Sequence, residues 1–164
     1  MEEIIGFNNL NIGQRIKVRG LQGSEGIFNA LQIEIKPHRH QSTIIGLLQN
    51  IDLRRNTLRV FDRKITVPDT TVITDVNGRL MGMVDLKPSS RLKLKGNYSE
   101  LEGFMLERIE VTDGLGFNID KLEGVIDHLD AASKTLSVLG FTVQLSGKTM
   151  IAGVFDLALE MAGA

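Results

Sequence analysis

The sequence predicts an all-β protein built from two small antiparallel barrels, and three observations lead to that prediction. Apolar and polar residues alternate strictly in several short segments, as they do in a strand with one buried face. Short β-branched runs are separated by polar or glycine-containing turns. The chain of 164 residues also repeats itself, because residues 43–78 realign on 121–156 and residues 10–35 realign on 86–111.

The first half of the repeat predicts a long strand followed by a hairpin. The long strand is expected at residues 44–51 and again at 122–129, each ending in a polar turn. The hairpin strands follow the same spacing in both copies, at 57–61 with 65–67 and at 135–139 with 142–145. The sequence therefore predicts three antiparallel strands in each copy of this half.

The second half of the repeat predicts a connection and two more strands. Residues 80–86 and 155–161 lack alternation, and residues 155–161 contain good helix formers, which predicts a short helix or loop. Residues 15–19 and 91–95 alternate strictly, and each precedes one further strand. Five short strands with a helix or loop between the third and the fourth are typical of an OB-like barrel. Gly46 and Gly124 interrupt the first strand of each copy and fit the bend that such a barrel needs.

The repeat is cut inside one copy, which predicts how the domains are divided. One complete five-stranded barrel is expected at residues 43–111. Residues 121–164 and about 10–35 are expected to complete the second barrel, with 36–42 and 112–120 as linkers. Half-barrels left alone would expose strand edges, which invites association. The sequence leaves open whether the halves pair within one chain or between chains, and whether the chain is a fragment of a longer array.

The repeated positions carry a resemblance to a known family. Gly46, Asp52, Thr57-Leu58, Val60 and Thr71 recur as Gly124, Asp130, Thr135-Leu136, Val138 and Thr149. This pattern resembles an uncharacterised bacterial family, a domain of unknown function that forms small OB-like β-barrels in tandem. The resemblance spans residues 10–35, 43–111 and 121–156 and implies the fold and an exported location, periplasmic or at the cell surface. It implies no catalytic or binding residue.

Composition and motifs limit the function classes. The chain is 42% hydrophobic and 24% charged, it has no cysteine, and no stretch approaches the roughly 18 apolar residues of a spanning helix. Its start lacks the features of a signal peptide, which leaves a cytoplasmic location open as well. Phosphate-binding loops, zincin helices and nucleophile elbows are absent from the sequence. We therefore predict a binding or structural module without cofactor or catalysis, whose partner is another protein or another copy of itself.

Charge is unevenly distributed along the chain and suggests an alternative function. Residues 1–98 hold 15 Lys or Arg against 9 Asp or Glu, whereas residues 99–164 hold 4 against 11. The outward positions of the alternating strands are candidates for binding single-stranded nucleic acid or another polyanion: Arg15, Lys17, Arg19, Arg91, Lys93 and Lys95. The bases of a single strand stack on exposed aromatic side chains, but Phe28, Phe61 and Phe104 are at strand positions that face the core. We expect these cations to form a solvated face that keeps strand edges apart.

The chain has three histidines, two of which are candidate metal ligands. His38 and His40 could share one side of an extended segment, and paired imidazoles suit zinc or copper. Such a site needs a third or fourth ligand, and no carboxylate or sulfur is adjacent. We therefore predict a polar linker and no metal site. His128 is expected to be a surface side chain beside Asp127.

Overall fold

Strands dominate the computed structural model, which describes residues 2–4, 6–23, 27–112 and 120–154. The prediction of an all-β protein is confirmed. The strands of this part of the chain are β1 (Glu2–Ile4), β2 (Arg15–Gln22), β3 (Ile27–Lys36), β4 (Ser42–Leu47), β5 (Asn50–Asp52), β6 (Thr57–Val60), β7 (Arg63–Thr66), β8 (Val72–Thr74), β9 (Arg91–Ser99), β10 (Gly103–Thr112), β11 (Asp120–Asp130), β12 (Thr135–Val138), β13 (Phe141–Gln144) and β14 (Met150–Val154).

Alternation explains how the strands bury one face. Ile16 and Val18 of β2 are fully buried, as are Leu92 and Leu94 of β9. The residues between them, such as Lys17, lie on the opposite face and are half-exposed. A period of two places every second side chain in the core, so the sequence pattern is sufficient to set the inward face of these strands.

Two tight turns connect the hairpins β6–β7 and β12–β13. Phe61 and Asp62 have φ angles of 55° and 57°, and Leu139 and Gly140 have φ angles of 54° and 79°. Two successive residues with positive φ match the right-handed twist of the strands that they join. The side chains of Phe61 and Leu139 are thereby turned into the core, where they are 4% and 2% exposed.

Five strands pair in a circle, each with the next and the last with the first, and they are hereafter the closed ring. The ring runs β2–β3–β13–β12–β11 and returns to β2. Its strands β2 and β3 come from the first part of the chain, and its strands β11 to β13 come from the last part. β14 adds to β3 in parallel, and β1 pairs with β14. A single chain thus joins both of its ends in one barrel.

The strands β4 to β10 repeat the pairings of the closed ring with one exception, and they are hereafter the open set. Five ladders of the open set have the same register as five ladders around the closed ring, after a shift of 78 or 76 positions. The equivalent ladders are β4–β9 and β11–β2, β9–β10 and β2–β3, β8–β10 and β14–β3, β5–β6 and β11–β12, and β6–β7 and β12–β13. The exception is the ladder that joins β13 to β3, which has no counterpart between β7 and β10 in the described residues. Because β4 and β5 are also separate strands, β5, β6 and β7 form a sheet of their own.

The closed ring and the open set are joined by one strand pairing and by a group of packed aromatic side chains. β4 pairs with β11 and joins the two in one sheet. The aromatic side chain of Phe61, in the open set, is edge-to-face with those of Phe28 and Phe141, which belong to the closed ring. The Phe61 centroid lies 5.5 Å from that of Phe28 and 5.6 Å from that of Phe141. Edge-to-face pairs at this distance add to the stabilisation that burial provides. The placement of Phe28 and Phe61 in the core is as expected, and Phe104 is partly buried against it.

The glycines in the first strands serve close packing. A Cβ on Gly46 would lie 2.8 Å from the Phe61 ring, and one on Gly124 would lie 2.7 Å from the Leu139 side chain. Side chains at these positions would collide with the turn residues that fold over the strand. The predicted long first strand is continuous in β11, but in the open set it is divided into β4 and β5.

Three sequence expectations need correction or fall outside the described residues. The connection at 80–86 contains a single 3-10 turn, Met83–Asp85, where the Asp85 carboxylate accepts a hydrogen bond from the Gly82 N–H at 3.0 Å. The matching helix predicted at 155–161, and residues 113–119 of the second linker, lie outside the described part. The short strands β8 and β14 were not predicted. No helix among the described residues is long and apolar enough to cross a membrane.

Candidate functional site

Arg15 and Arg91, expected on the exposed faces of β2 and β9, are instead covered. Their residues are only 4% and 6% exposed. The Arg15 guanidinium donates to a Glu123 carboxylate oxygen at 2.6 Å and to the Arg39 carbonyl at 3.1 Å. Arg91 donates to Asp120 at 2.5 Å. These two arginines are bound in internal ion pairs, so the expectation that they face solvent was wrong.

The remaining predicted cations lie on one half-exposed surface. Arg19 donates to Glu34 at 2.5 Å, and the Lys95 ammonium lies 3.2 Å from Glu110. Lys17 and Lys93 are on the same outward face. The fold adds Lys121 of β11 to this group, and together these five side chains are hereafter the basic face. Lys121 lies outside the alternating strands and was therefore missed by the sequence pattern.

A second feature lies between β7 and β10, where the open set has no counterpart of the β13–β3 ladder. In the closed ring, Thr142, Val143 and Gln144 of β13 lie opposite Ile27, Phe28 and Asn29 of β3. The corresponding segments of the open set are residues 64–66 of β7 and residues 103–105 of β10. Their facing edges are hereafter the seam. Both edges of the seam lack a strand partner among the described residues.

The seam opens onto a cavity of about 520 Å³ with an apolar floor. Side chains of the open set line it, and the turn of the closed ring contributes Leu139 and Phe141. Its volume is within the range of pockets that hold small ligands, and its lining combines apolar side chains with a few polar groups. The residues of the floor are Ile44, Ile65, Leu106, Leu139 and Phe141.

The rim of the cavity carries opposite charges on its two sides. Arg63 and Lys64 lie on the β7 side, whereas Glu100 and Glu102 lie beside the start of β10. The Arg63 guanidinium carbon is 4.3 Å from the centroid of the Phe141 ring, which is a cation–π contact. The rim can therefore accept polar groups of both signs while the floor accepts apolar ones.

Burial and nearby carboxylates alter the titration of two groups beside the cavity. Burial, followed by the charges of Asp127 and Glu100, raises the pKa of the Tyr98 hydroxyl. Burial, followed by the charge of Glu100, raises the pKa of Asp127. One carboxylate oxygen of Asp127 is enclosed without a hydrogen-bond partner. Tyr98 lines the cavity, so its hydroxyl adds a polar group to the edge of the cavity, beside the carboxylate of Asp127.

The histidines do not form a ligand cluster in the described part of the chain. His38 and His40 lie in the exposed loop at 37–41, with ring centroids 5.4 Å apart. No group of three or more His, Asp or Glu side chains that could hold a metal occurs within the described ranges. His128 is exposed on β11, and its Nε2 atom lies 3.0 Å from a Glu100 carboxylate oxygen.

One sequence signal could have identified the seam. Position 141 of the closed ring is the buried Phe141, but the matching position of the open set is the exposed Arg63. A core position that becomes charged in the second copy of a repeat indicates that the second copy packs differently there.

Comparison with known protein families gives one match. Residues 123–161 match the family described as "Domain of unknown function (DUF5666)". The match covers β12, β13, β14 and most of β11, so the predicted similarity to an uncharacterised domain family is confirmed for this part. Searches of curated proteins and of solved structures find no match to the chain.

Proposed function

We propose that this chain is a non-enzymatic binding module whose seam captures an extended segment of another protein. The observation that carries the proposal is the ladder present between β13 and β3 but not between β7 and β10. Free strand edges can pair with an added strand, whose main-chain hydrogen bonds provide affinity and whose alternate side chains enter pockets. The apolar floor beneath the seam supplies such pockets.

The proposal includes the division into two OB-like barrels that the sequence predicts. Residues 43–111 would form one barrel that is open at the seam, and residues 121–164 with 10–35 would form the closed one. The recurring ladder registers support this division. The closed barrel would brace the site, because its Leu139 and Phe141 side chains form part of the floor.

β7 and β10 approach within 8 Å at Cα, whereas a strand between them needs about 10 Å, so the bound segment would move the two edges apart. It would add in parallel to β7, in the direction that β3 takes on β13. Its alternate side chains would face the floor and favour apolar residues. The rim would favour an acidic residue near Arg63 and Lys64 and a basic residue near Glu100 and Glu102. Complementary charges of this kind would set the direction and register of the segment.

A crosslink across the seam tests the proposal. Thr66 and Met105 correspond to Gln144 and Asn29, which lie opposite each other in the closed ring. Thr66→Cys with Met105→Cys introduces two thiols into a chain that has none, and a short bifunctional thiol reagent can join them. Random peptides displayed on phage are then selected against the uncrosslinked and the crosslinked forms.

We expect the uncrosslinked form to enrich peptides with alternating apolar residues, and the crosslinked form to lose their binding. The matched control joins Gln144→Cys with Asn29→Cys across the ladder that is already closed, and binding should persist. Failure to enrich any peptide, or equal binding to the crosslinked seam, would contradict the proposal.

The second candidate function is binding of single-stranded nucleic acid or another polyanion on the basic face. The observation that favours it is the group of lysines around a cavity of about 180 Å³ on β2, β11, β4 and β9. The described residues that line this cavity include no aromatic side chain, whereas sequence-tolerant binding of single strands uses stacking rings. An exported location remains a prediction from the family resemblance.

A further inference from the structure

The basic face spans the sheet where the closed ring meets the open set. Lys17 on β2, Lys121 on β11 and Lys93 on β9 all line the small cavity on this face. Thr43 and Ile45 of β4 lie between them at its base. The site is thus formed by the part of the sheet that joins the two ends of the chain to its middle.

The carboxylates around this cavity are already bound to other cations. Glu123 accepts from Arg15 at 2.6 Å. Glu34 lies 2.5 Å from Arg19 and 3.3 Å from Lys36, and Glu110 lies 3.2 Å from Lys95 and 2.8 Å from Arg108. Within the described part of the chain, Lys17, Lys93 and Lys121 have no carboxylate oxygen within 4.0 Å.

Sheet geometry places these three lysines on one face of four neighbouring strands, with Lys17 on β2 and Lys93 on β9 three strand spacings, about 14 Å, apart across the sheet. Arg19 pairs with Lys121 and Lys17 with Glu123, so Lys17 and Lys121 are diagonal neighbours on adjacent strands, about 7–8 Å apart at Cα. Ile45 separates Lys121 from Lys93 in one cross-strand row, which places them two strand spacings, about 10 Å, apart. Flexible four-carbon side chains can close these distances on a shared anion.

The lysines are also electrostatically crowded. Burial lowers the pKa of Lys17, and the neighbouring charges of Lys36 and Arg19 lower it further. Burial likewise lowers the pKa of Lys121, together with the charges of Arg19, Lys17 and Lys93. An anion among these amines would relieve their mutual repulsion and form charge-assisted hydrogen bonds.

We propose that Lys17, Lys93 and Lys121 bind a compact anion of the phosphate class, such as inorganic phosphate, pyrophosphate or a phosphomonoester group. The small volume of the cavity limits the ligand to one or two phosphoryl groups. Among the described residues that line it there is no aromatic ring, which disfavours a stacked nucleic-acid strand. This site is separate from the seam and does not depend on peptide binding there.

The test uses isothermal titration of the full chain with inorganic phosphate and pyrophosphate at constant ionic strength, with chloride as reference. Lys121→Met removes one amine of the site, whereas Lys148→Met removes an exposed lysine from the turn before β14. We expect Lys121→Met to weaken pyrophosphate binding about tenfold or more, and Lys148→Met to leave it unchanged. Thermal unfolding of Lys121→Met should show an intact fold, because the substitution relieves repulsion.

Two further ligands distinguish the sources of the phosphate group. A phosphomonoester such as glycerol phosphate should bind like inorganic phosphate if a single phosphoryl group is recognised. A short single-stranded oligonucleotide should bind no tighter than pyrophosphate. Equal weakening by Lys121→Met and Lys148→Met, no binding of either anion, or affinity that grows with oligonucleotide length would overturn the proposal.

Discussion

Ile44 and Leu122 face each other across the β4–β11 ladder and occupy equivalent positions of the repeat, 78 residues apart. Their neighbours in the ladder exchange under the same shift, since Thr43 pairs with Glu123 and Ile45 pairs with Lys121. This relationship gives the ladder a local twofold axis through Ile44 and Leu122. Both side chains are fully buried, so the axis passes through the core that the closed ring and the open set share.

Truncation at this axis should destabilise the whole chain. Leu122→Ala removes a fully buried side chain and should lower the free energy of unfolding by about 3 kcal/mol, because a cavity is left behind. Leu101→Ala is the matched control, since Leu101 is 92% exposed and should change stability by less than about 0.5 kcal/mol. Urea unfolding measures both values. A similar small loss in the two variants would show that the shared core is absent.

Two glycines at equivalent bulges provide a second prediction. A Cβ on Gly20 would lie 2.1 Å from the Asn29 carbonyl oxygen, and one on Gly96 would lie 2.2 Å from that of Met105. Backbone must shift to accommodate alanine, so each substitution should cost about 2 kcal/mol or more. Gly147→Ala, where nothing lies within 4 Å of the added Cβ, should be nearly neutral, and thermal unfolding of the three variants measures these effects. Tolerance of alanine at both bulges would contradict the strand pairing described above.

The buried ion pair of Arg15 leads to a third prediction. The Arg15 side chain is 2% exposed and depends on Glu123 for charge compensation. Glu123→Gln should lower stability by about 3 kcal/mol, because it leaves a buried guanidinium without its counterion. The same change removes negative charge next to the basic face and should tighten pyrophosphate binding. Calorimetric unfolding and titration of this variant check both effects, and unchanged stability would argue against the internal pair.

The crowded lysines predict a stability profile at alkaline pH. The folded-state pKa of Lys121 is below its unfolded value of 10.5, mainly through burial, so the charged amine destabilises the fold at lower pH. This penalty is relieved as the pH rises through the folded pKa towards 10.5. Lys121→Met should therefore be more stable than the wild type at neutral pH, and the difference should shrink with rising pH. A constant difference across this range would mean that Lys121 is not perturbed.

Local patterns predicted the strands better than they predicted the contacts between them. The alternation around Ile16, Val18, Leu92 and Leu94 was sufficient to identify the buried faces of β2 and β9. Alternation also placed Arg15 on the outward side, where it lies, but could not show that Glu123 and the Arg39 carbonyl cover it. Such coverage depends on segments that are distant in the sequence.

The candidate sites were less accessible to sequence reasoning for the same reason. The seam is defined by a ladder that is lacking between β7 and β10, which are far apart along the chain, and no local propensity reports on it. The replacement of a buried Phe141 by Arg63 in the repeat was its one visible sign. The basic face was predicted in part from Lys17 and Lys93, but Lys121 joins it only through the pairing of β11 with β2.

Hydrogen exchange tests the open seam most directly, because β13 pairs with a second strand, β3, whereas the equivalent strand β7 pairs only with β6 among the described residues. The amides of β13 that point towards β3 should be protected, and the matching amides of β7 should exchange faster by orders of magnitude. Addition of a peptide selected on the seam should slow the β7 amides and leave those of β13 unchanged. Equal protection of the two strands in the free protein would show that the seam is closed in solution and would contradict the account.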